Sequence, residues 1–310
     1  MVIISEVDTR MLYGEEAVAY GTEAASIASL FGRVQSHNIM ANRGYIYVYE
    51  IGGGRSPQQI VTGRLACNVD VTFLPQTGAW LKYVLGSVTG AGTAGDPYIY
   101  AVADALTSLS ITGNFELGTT DQQLTVLGCL ANRCTMNCEE GKPVEVTLNF
   151  LAQKFTKDNA ISAYSPVSTG IYHYVHGSLQ TPSGTTIAEV PKASLVITNN
   201  IENYYAIGSI IGTGKPKSRD SRGTLSCRVK DGSWWNRFMQ ASVTDVTTVT
   251  DGTPTALATL RLNLTDGTRY LYLTFTTVQV DAVNTPSNIG AAAVNDVNII
   301  GLTPSGTEVV

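Results

Sequence analysis

The chain has 310 residues, a formal net charge of −5, and 44% hydrophobic against only 15% charged residues. That balance excludes an intrinsically disordered chain, and no apolar run approaches the roughly 18 residues that a membrane helix needs. The acidic excess argues against nucleic-acid binding through a basic surface, and the start Met-Val-Ile-Ile-Ser-Glu-Val-Asp leads us to expect no secretory signal.

Thr, Val, Ile, Tyr and Gly are abundant, which favours strands over helices. In chain order, the first marked feature is the glycine run Gly52-Gly53-Gly54, read as a loop between two strands. A helix is predicted over 80–88, where Trp80, Leu81, Val84, Leu85 and Val88 recur at helical spacing after Thr77 as a candidate N-cap. Segment 124–138 reads as largely extended. The run Val-Glu-Val-Thr-Leu-Asn-Phe at 144–150 alternates with period 2, as a half-buried strand does. Lys157-Asp158-Asn159 and Ser165-Pro166 then break the strand pattern and place a domain boundary, giving domains 1–157 and 158–310 with a linker over 158–190. A second helix is predicted over 234–243 from Trp234, Trp235, Phe238, Met239 and Val243. A hairpin follows, with Leu262, Leu264, Tyr270, Tyr272 and Thr274 facing one way around a Thr-Asp-Gly turn at 265–267. A last strand falls within 292–301.

The chain matches itself. Sliding it by 160 residues lays 51–69 over 211–229, with identities at Ile51/Ile211, Gly52/Gly212, Gly54/Gly214, Gly63/Gly223, Leu65/Leu225, Cys67/Cys227 and Val69/Val229. Random usage gives roughly one identity over such a window. Tyr45/Tyr205 extends the match upstream, Trp80 pairs with Trp235 at an offset of 155, and Gly118 with Gly267 at 149. We read a tandem duplication, each half running strand, glycine loop, strand, helix, hairpin, last strand.

Few residues of the chain point to chemistry. His173 and His176 lie in a segment that alternates like a strand, which puts the rings on opposite faces; we read them as surface or interface histidines. Cys129, Cys134 and Cys138 invite a metal or a local disulfide. In a strand, however, Cys134 and Cys138 stand about 13 Å apart at roughly 3.3 Å per residue, too far for either. Buried free thiols are the favoured reading, and only a turn near Asn132 rescues the alternatives. Neither glycine run has the strand–loop–helix order of a phosphate loop. No nucleophile elbow or acid pair is recognisable, so an enzyme and a cofactor are not expected. Loop 212–222 does carry Lys215, Lys217, Arg219 and Arg222 against the single Asp220, whereas 52–62 carries only Arg55. In an oligomer such a basic loop fits an acidic neighbour, and Glu15-Glu16 and Glu139-Glu140 are the acidic candidates.

Four features resemble the tail tube proteins of long-tailed bacteriophages and related archaeal viruses, in their duplicated two-domain type. These are Ala-Tyr-Gly-Thr-Glu at 19–23, the Gly-x-Gly-[Arg/Lys] loop with its Gly-x-Leu-x-Cys strand at 52–67 and 212–227, the short helix after each, and Gly-Lys-Pro-Val-Glu-Val-Thr at 141–147. The resemblance implies a mainly β chain: two tandem β-sandwich or barrel domains, each with one short flanking helix. It implies a virion structural protein, made in the host cytoplasm, whose inward sheets join into a channel for the viral genome. We favour the non-contractile kind of tail. The implied partners are the chain itself, as a trimeric ring of pseudo-sixfold symmetry, other tail components, and transiently DNA, with no membrane insertion. The implied inter-ring stacking residues are Gly52, Gly54, Arg55, Gln58 and Gln59 in one loop, and Gly212, Gly214, Lys215, Lys217, Arg219 and Arg222 in the other. The N-terminal arm 1–20 and the linker act as ties. A negative lining suits passing DNA, and Glu116, Asp121 and Asp266 are candidates for it. The competing reading is a tandem β-sandwich that binds carbohydrate, motivated by 15 tyrosines and Trp234-Trp235.

Overall fold

The computed structural model describes residues 9–115, 121–159, 162–163, 168–180, 186–187, 190–228, 234, 238, 257–285, 294–301 and 303–310. Strands dominate. The first half contains β1 (Thr9–Glu15), β2 (Arg33–Arg43), β3 (Ile46–Val48), β4 (Gln59–Val61), β5 (Leu65–Leu74), helix α1 (Leu81–Leu85), β6 (Gly86–Thr89), β7 (Tyr98–Val102), β8 (Leu109–Phe115), β9 (Gln122–Glu139), β10 (Glu145–Ala152) and β11 (Lys154–Asp158). The second contains β12 (Gly177–Gln180), β13 (Thr186–Ile187), β14 (Lys192–Thr198), β15 (Glu202–Tyr205), β16 (Gly212–Lys215), β17 (Asp220–Arg228), β18 (Leu257–Thr265), β19 (Tyr270–Asn284), β20 (Val294–Ile300) and β21 (Thr303–Val309).

The main sheet has eight antiparallel strands in the order β2-β5-β10-β9-β14-β17-β20-β19. Alternation builds it: Cys67, Val69, Val71 and Phe73 on β5, and Val146, Leu148, Phe150 and Ala152 on β10, point to one face and are buried. Burying a side chain of that size is worth roughly 1.5–3 kcal/mol. Two further sheets cover that face, one of β1, β8, β9 and β11, the other built on β18, β19, β21, β7 and β6. A single core cluster spans both halves, from Phe31 and Trp80 to Leu264 and Val297. The sheets stay open; among the described residues none closes into a barrel, so of the two expected forms the open packed sheets are found.

Strands β9 and β19 each run through two sheets. Both turn where a residue takes positive φ, Gly128 at 69° and Thr277 at 51°. Both also carry a β-bulge four residues further on, Asn132 against Asn149/Phe150 and Asp281 against Asn298/Ile299. Asn132 is thus a bulge and not a turn. The extra residue lets Cys129, Ala131, Cys134 and Met136 all face the core.

Several expectations need correction. Helix α1 is shorter than 80–88: Gly86, at φ 110°, ends it, its N–H bonding Lys82 O, and Val88 belongs to β6. A Cβ at Gly86 would lie 2.6 Å from Ala105 O, so the stop cannot be extended. Trp80 is the N-cap position and no side chain caps it, Thr77 included. The second predicted helix lies mostly outside the described residues, though Trp234 and Phe238 are helical. The hairpin at 265–267 forms, but its faces differ from the expectation. Thr265 pairs with Tyr270, a four-residue loop, so Leu262 and Leu264 share the buried face with Leu271 and Leu273. Tyr270 and Tyr272 stack on the other face, with ring centroids 4.5 Å apart. Tyr174–His176 is a 3-10 turn, not strand, and His173 N–H donates to His176 Nδ1. Residues 9–15 are no free arm, since β1 pairs with β8 and buries Met11 and Leu12. Strands β11 and β21 were not anticipated.

The glycine motifs matched at an offset of 160 do not occupy matching ladder positions. Cys67 lies opposite Ala152 and Ala41, whereas Cys227 lies opposite Asn295 near the end of β17. Val69 faces Phe150 as Gly223 faces Ile299, which is an offset of 154. The difference of six residues is three strand repeats, so every side chain keeps its face and an alternating pattern cannot register the slip.

Candidate assembly interface

The face of the eight-stranded sheet that turns away from the core is polar. Cross-strand bonds run along it: Thr72 to Thr147 (3.0 Å), Asn149 to Asp70 (2.6 Å), Ser194 to Asn137 (2.7 Å), Thr224 to Asn298 (3.1 Å) and Ser226 to Asp296 (2.8 Å). The alternation places Asp70, Glu139, Glu145, Asp220 and Asp296 there, against Arg133, Lys192, Arg222 and Arg228. Arg33 on β2 adds a fifth base, opposite Leu74, so five acids and five bases leave that face balanced, not strongly acidic. Of the acids singled out for a lining, Asp266 sits in the β18–β19 turn and Asp121 just before β9, both off this sheet; Glu116 lies outside the described residues. Asp266 is held down to about 2 by the Arg269 backbone N–H and guanidinium.

The sheet ends on two open edges. Among the described residues β2 pairs with β5 alone, and the C-terminal part of β19 with β20 alone. Unpaired edges invite another strand. On β2, Met40 is exposed and Ile39 only partly buried.

Two hairpins carry the segments expected to stack. β3 pairs with β4 between β2 and β5, and β15 with β16 between β14 and β17. In the first, Gly52 and Gly54 take φ of 89° and 86° in open space at the tip. Arg55 is exposed there, the Gln58 side chain donates to Gly53 O, and Gln59 opens β4 opposite Val48. Tyr45, Ile46, Tyr47, Tyr49, Ile51 and Ile60 are all exposed, an apolar patch of the kind that marks an interface. The second hairpin is seated on its own chain. Ile210 O accepts from Leu65 N–H (2.9 Å), Tyr205 Oη donates to Leu65 O (3.0 Å), and Gly214 N–H donates to Tyr20 Oη (3.0 Å). The Arg64 guanidinium lies 4.9 Å from the Tyr205 ring centre.

The basic residues divide. Gly212, Gly214 and Lys215 lie in β16, with Lys215 over the Tyr204 ring. Lys217 pairs with Glu202 (2.5 Å) and Arg222 with Asp220 (2.8 Å), both at the surface. Arg219 turns inward. Its Nε donates to Asn199 Oδ1 (2.8 Å) and its Nη2 to Leu85 O and Ala103 O (3.3 Å each), so burial lowers its pKa. It ties the end of α1 to the second half and is not a loop cation. The expected acidic partners are engaged within the chain. Glu15 meets Lys82 and Tyr83, Glu139 meets Lys142 and Lys192, and Glu140 meets Arg228. Buried Glu16 accepts from Gly21 N–H, Gly128 N–H and Ser110 Oγ.

The five cysteines are free; Cys67, Cys129, Cys134 and Cys227 are buried and Cys138 partly so. Burial raises all five thiol pKa values, Cys227 to about 12. Among the described residues no three His, Cys, Asp or Glu side chains gather as metal ligands would, and no helix is long and apolar enough to cross a membrane. The sequence reading missed the two sheet edges. Alternation in Gln279–Asn284 was the available signal, but the bulge at Asp281 interrupts it.

A family model described as phage tail tube protein matches residues 7–301. No curated protein matches the chain.

Proposed function

The chain belongs to the phage tail tube protein family, and on that premise we propose that copies of it close into rings whose eight-stranded sheets line a channel for the viral genome. A virion structural role follows from the family. The finer reading rests on one observation: a sheet with one face buried, the other hydrogen-bonding and charge-balanced, and both edges open. Edge-to-edge joining of such sheets is head-to-tail, which closes into a ring when the rotation between copies divides a full turn. A face without strong net charge gives phosphate little to hold.

We infer further that the chain is a tandem duplication with domains 1–157 and 158–310. Supporting this, the strand order β2-β5-β10-β9 recurs as β14-β17-β20-β19, and the positive-φ residues Gly128/Thr277 and bulges Asn132/Asp281 both stand 149 residues apart. Three chains then make a ring of pseudo-sixfold symmetry. The exposed first hairpin, with Gly52, Gly54, Arg55, Gln58 and Gln59, and the surface cations Lys215 and Lys217 are the stacking elements; Arg222, on the outward face of β17, belongs with the lining. The carbohydrate reading gains nothing from Trp234, which is buried in the shared core.

Negative-stain electron microscopy across a concentration series tests the proposal. Hollow filaments or stacked rings with a pore that admits duplex DNA support it. Compact monomers at every concentration, with tail components added as nucleators, count against it. Lys215→Glu/Lys217→Glu, leaving Arg219 in place, is expected to give folded protomers that do not stack.

A further inference from the structure

We propose that the joint between neighbouring copies repeats, in register, the joint between the two halves of one chain, and that the bulged residue Asp281 is its anchor. This rests on the ring reading above. The occupant of each open edge is therefore a second copy: β19 of one chain beside β2 of the next.

The template is the β9–β14 ladder. Leu195 lies opposite Met136, Val196 opposite Thr135 and Ile197 opposite Cys134. Leu195, Ile197, Met136 and Cys134 are buried on the core side of the joint. Its end is fastened at the bulge, where Asn132 O accepts from Asn199 N–H (2.7 Å) and Asn132 Oδ1 accepts from Ile201 N–H (2.9 Å).

The ladders themselves transfer this joint to the open edges. Phe150, paired with Ala131 across the bulge, matches Ile299, paired with Val280, so β9 maps to β19 at +149. Val69 pairs with Ile39 as Gly223 pairs with Leu195, so β14 maps to β2 at −156. The same offset sets β15 (202–205) on 46–49, where β3 lies. Ala41 of one chain is then opposite Val283 of the next, Ile39 opposite Thr285, and Met40 opposite Asn284. The faces agree without adjustment. Ala41 pairs with core-facing Cys67 within its sheet, and Val283 with core-facing Val297. Both would complete the buried side of the joint, as Ile197 and Cys134 do.

At the fastened end, Asn199 maps to Arg43 and Ile201 to Tyr45, while Asn132 maps to Asp281. Exposed Asp281 thus offers its carbonyl to Arg43 N–H and its carboxylate to Tyr45 N–H, with an arginine replacing an asparagine alongside. A carboxylate in that place strengthens the bond relative to the internal amide. The exchange puts opposite charges on the two edges, which sets polarity as well as register.

The test is a pair of double-cysteine variants under mild oxidation. Both variants are made in a Cys67→Ala background, because Cys67 is a free thiol directly opposite residue 41. In Ala41→Cys/Val283→Cys the two introduced thiols of one chain then sit on opposite edges of the sheet, about 34 Å apart at roughly 4.8 Å per strand, so a bond between them within the chain is excluded. Covalent oligomers are expected, at about tenfold the yield of Ala41→Cys/Thr285→Cys, which shares the face but is two residues out of register. The Cys67→Ala chain serves as the thiol background. Asp281→Ala is expected to raise the concentration needed for assembly while the monomer melts unchanged. Filaments that cross-link better through 41/285, or an Asp281→Ala chain that assembles normally, overturn the inference and leave the tube reading standing. A chain that forms no rings under any condition overturns both.

Discussion

Replacing Arg219 is expected to destabilise the whole protomer, because its side chain is half-buried and makes three hydrogen bonds, to Asn199, Leu85 and Ala103. Replacing it with alanine leaves Asn199 Oδ1 without its donor inside a residue only 2% exposed. Leu85 O retains the Ala103 N–H at 2.8 Å, so that carbonyl stays satisfied. A hydrogen bond to a charged group contributes about 1.5–3 kcal/mol, and an orphaned buried acceptor costs a similar amount. Removing the desolvation of the guanidinium offsets part of this, so the expected net loss is about 2–4 kcal/mol. Lys217→Ala and Arg222→Ala break exposed ion pairs and should each cost under about 1 kcal/mol. Urea unfolding of dilute protomers, followed by tryptophan fluorescence, reads the contrast. With a slope of about 3 kcal/mol per molar, Arg219→Ala moves the midpoint down by about 1 M. A midpoint within about 0.2 M of the parent, equal to that of the other two variants, refutes the structural role.

Two further outcomes are expected. Burial raises the Glu308 carboxyl pKa, opposed by the Tyr100 hydroxyl and Gly78 N–H that bond it. The folded chain therefore holds that proton more tightly than the unfolded one, so this contribution is full below the ordinary glutamate range and is lost as pH rises through the raised value. Glu308→Gln should flatten that fall in melting temperature, and an unchanged pH profile contradicts it. For the cysteines, a thiol reagent at mildly alkaline pH should react first at Cys138 and far more slowly at the other four until denaturant is added. Rapid native labelling of Cys129 or Cys134 disproves their burial.

The legibility of the sequence varied with the physics of each element. β10 was readable because eight residues alternate without interruption between a core and a polar face. The 265–267 hairpin was readable as a turn, but the pairing across it was not. A four-residue loop sets even-numbered positions on one strand opposite odd-numbered ones on the other, and loop length is a tertiary outcome. The cysteine segment stayed ambiguous because the bulge at Asn132 shifts its parity. β21 was invisible because Thr-Pro-Ser-Gly-Thr-Glu-Val has the composition of a tail. It is a strand because β19 and β7 offer it two partners. Of the residues expected to stack, the glycines of the first loop and Arg55 lie where a tip was expected, while Arg219 could only be placed by its partners. The recurring glycine motif drew attention to the β3–β4 and β15–β16 hairpins, at an offset six residues away from the one the ladders give.

Strand β9 pairs with β8, β10, β11 and β14, and so with neighbours in two sheets and in both halves. Two similar halves on one chain would ordinarily come apart as two melting units, each with its own protected amides. Here loss of the second half takes β14 from β9 and bares Cys134 and Met136 at the joint, so opening of one half is expected to weaken the other. Hydrogen exchange should show it, the core amides on the two sides of the β9–β14 ladder opening with similar free energies.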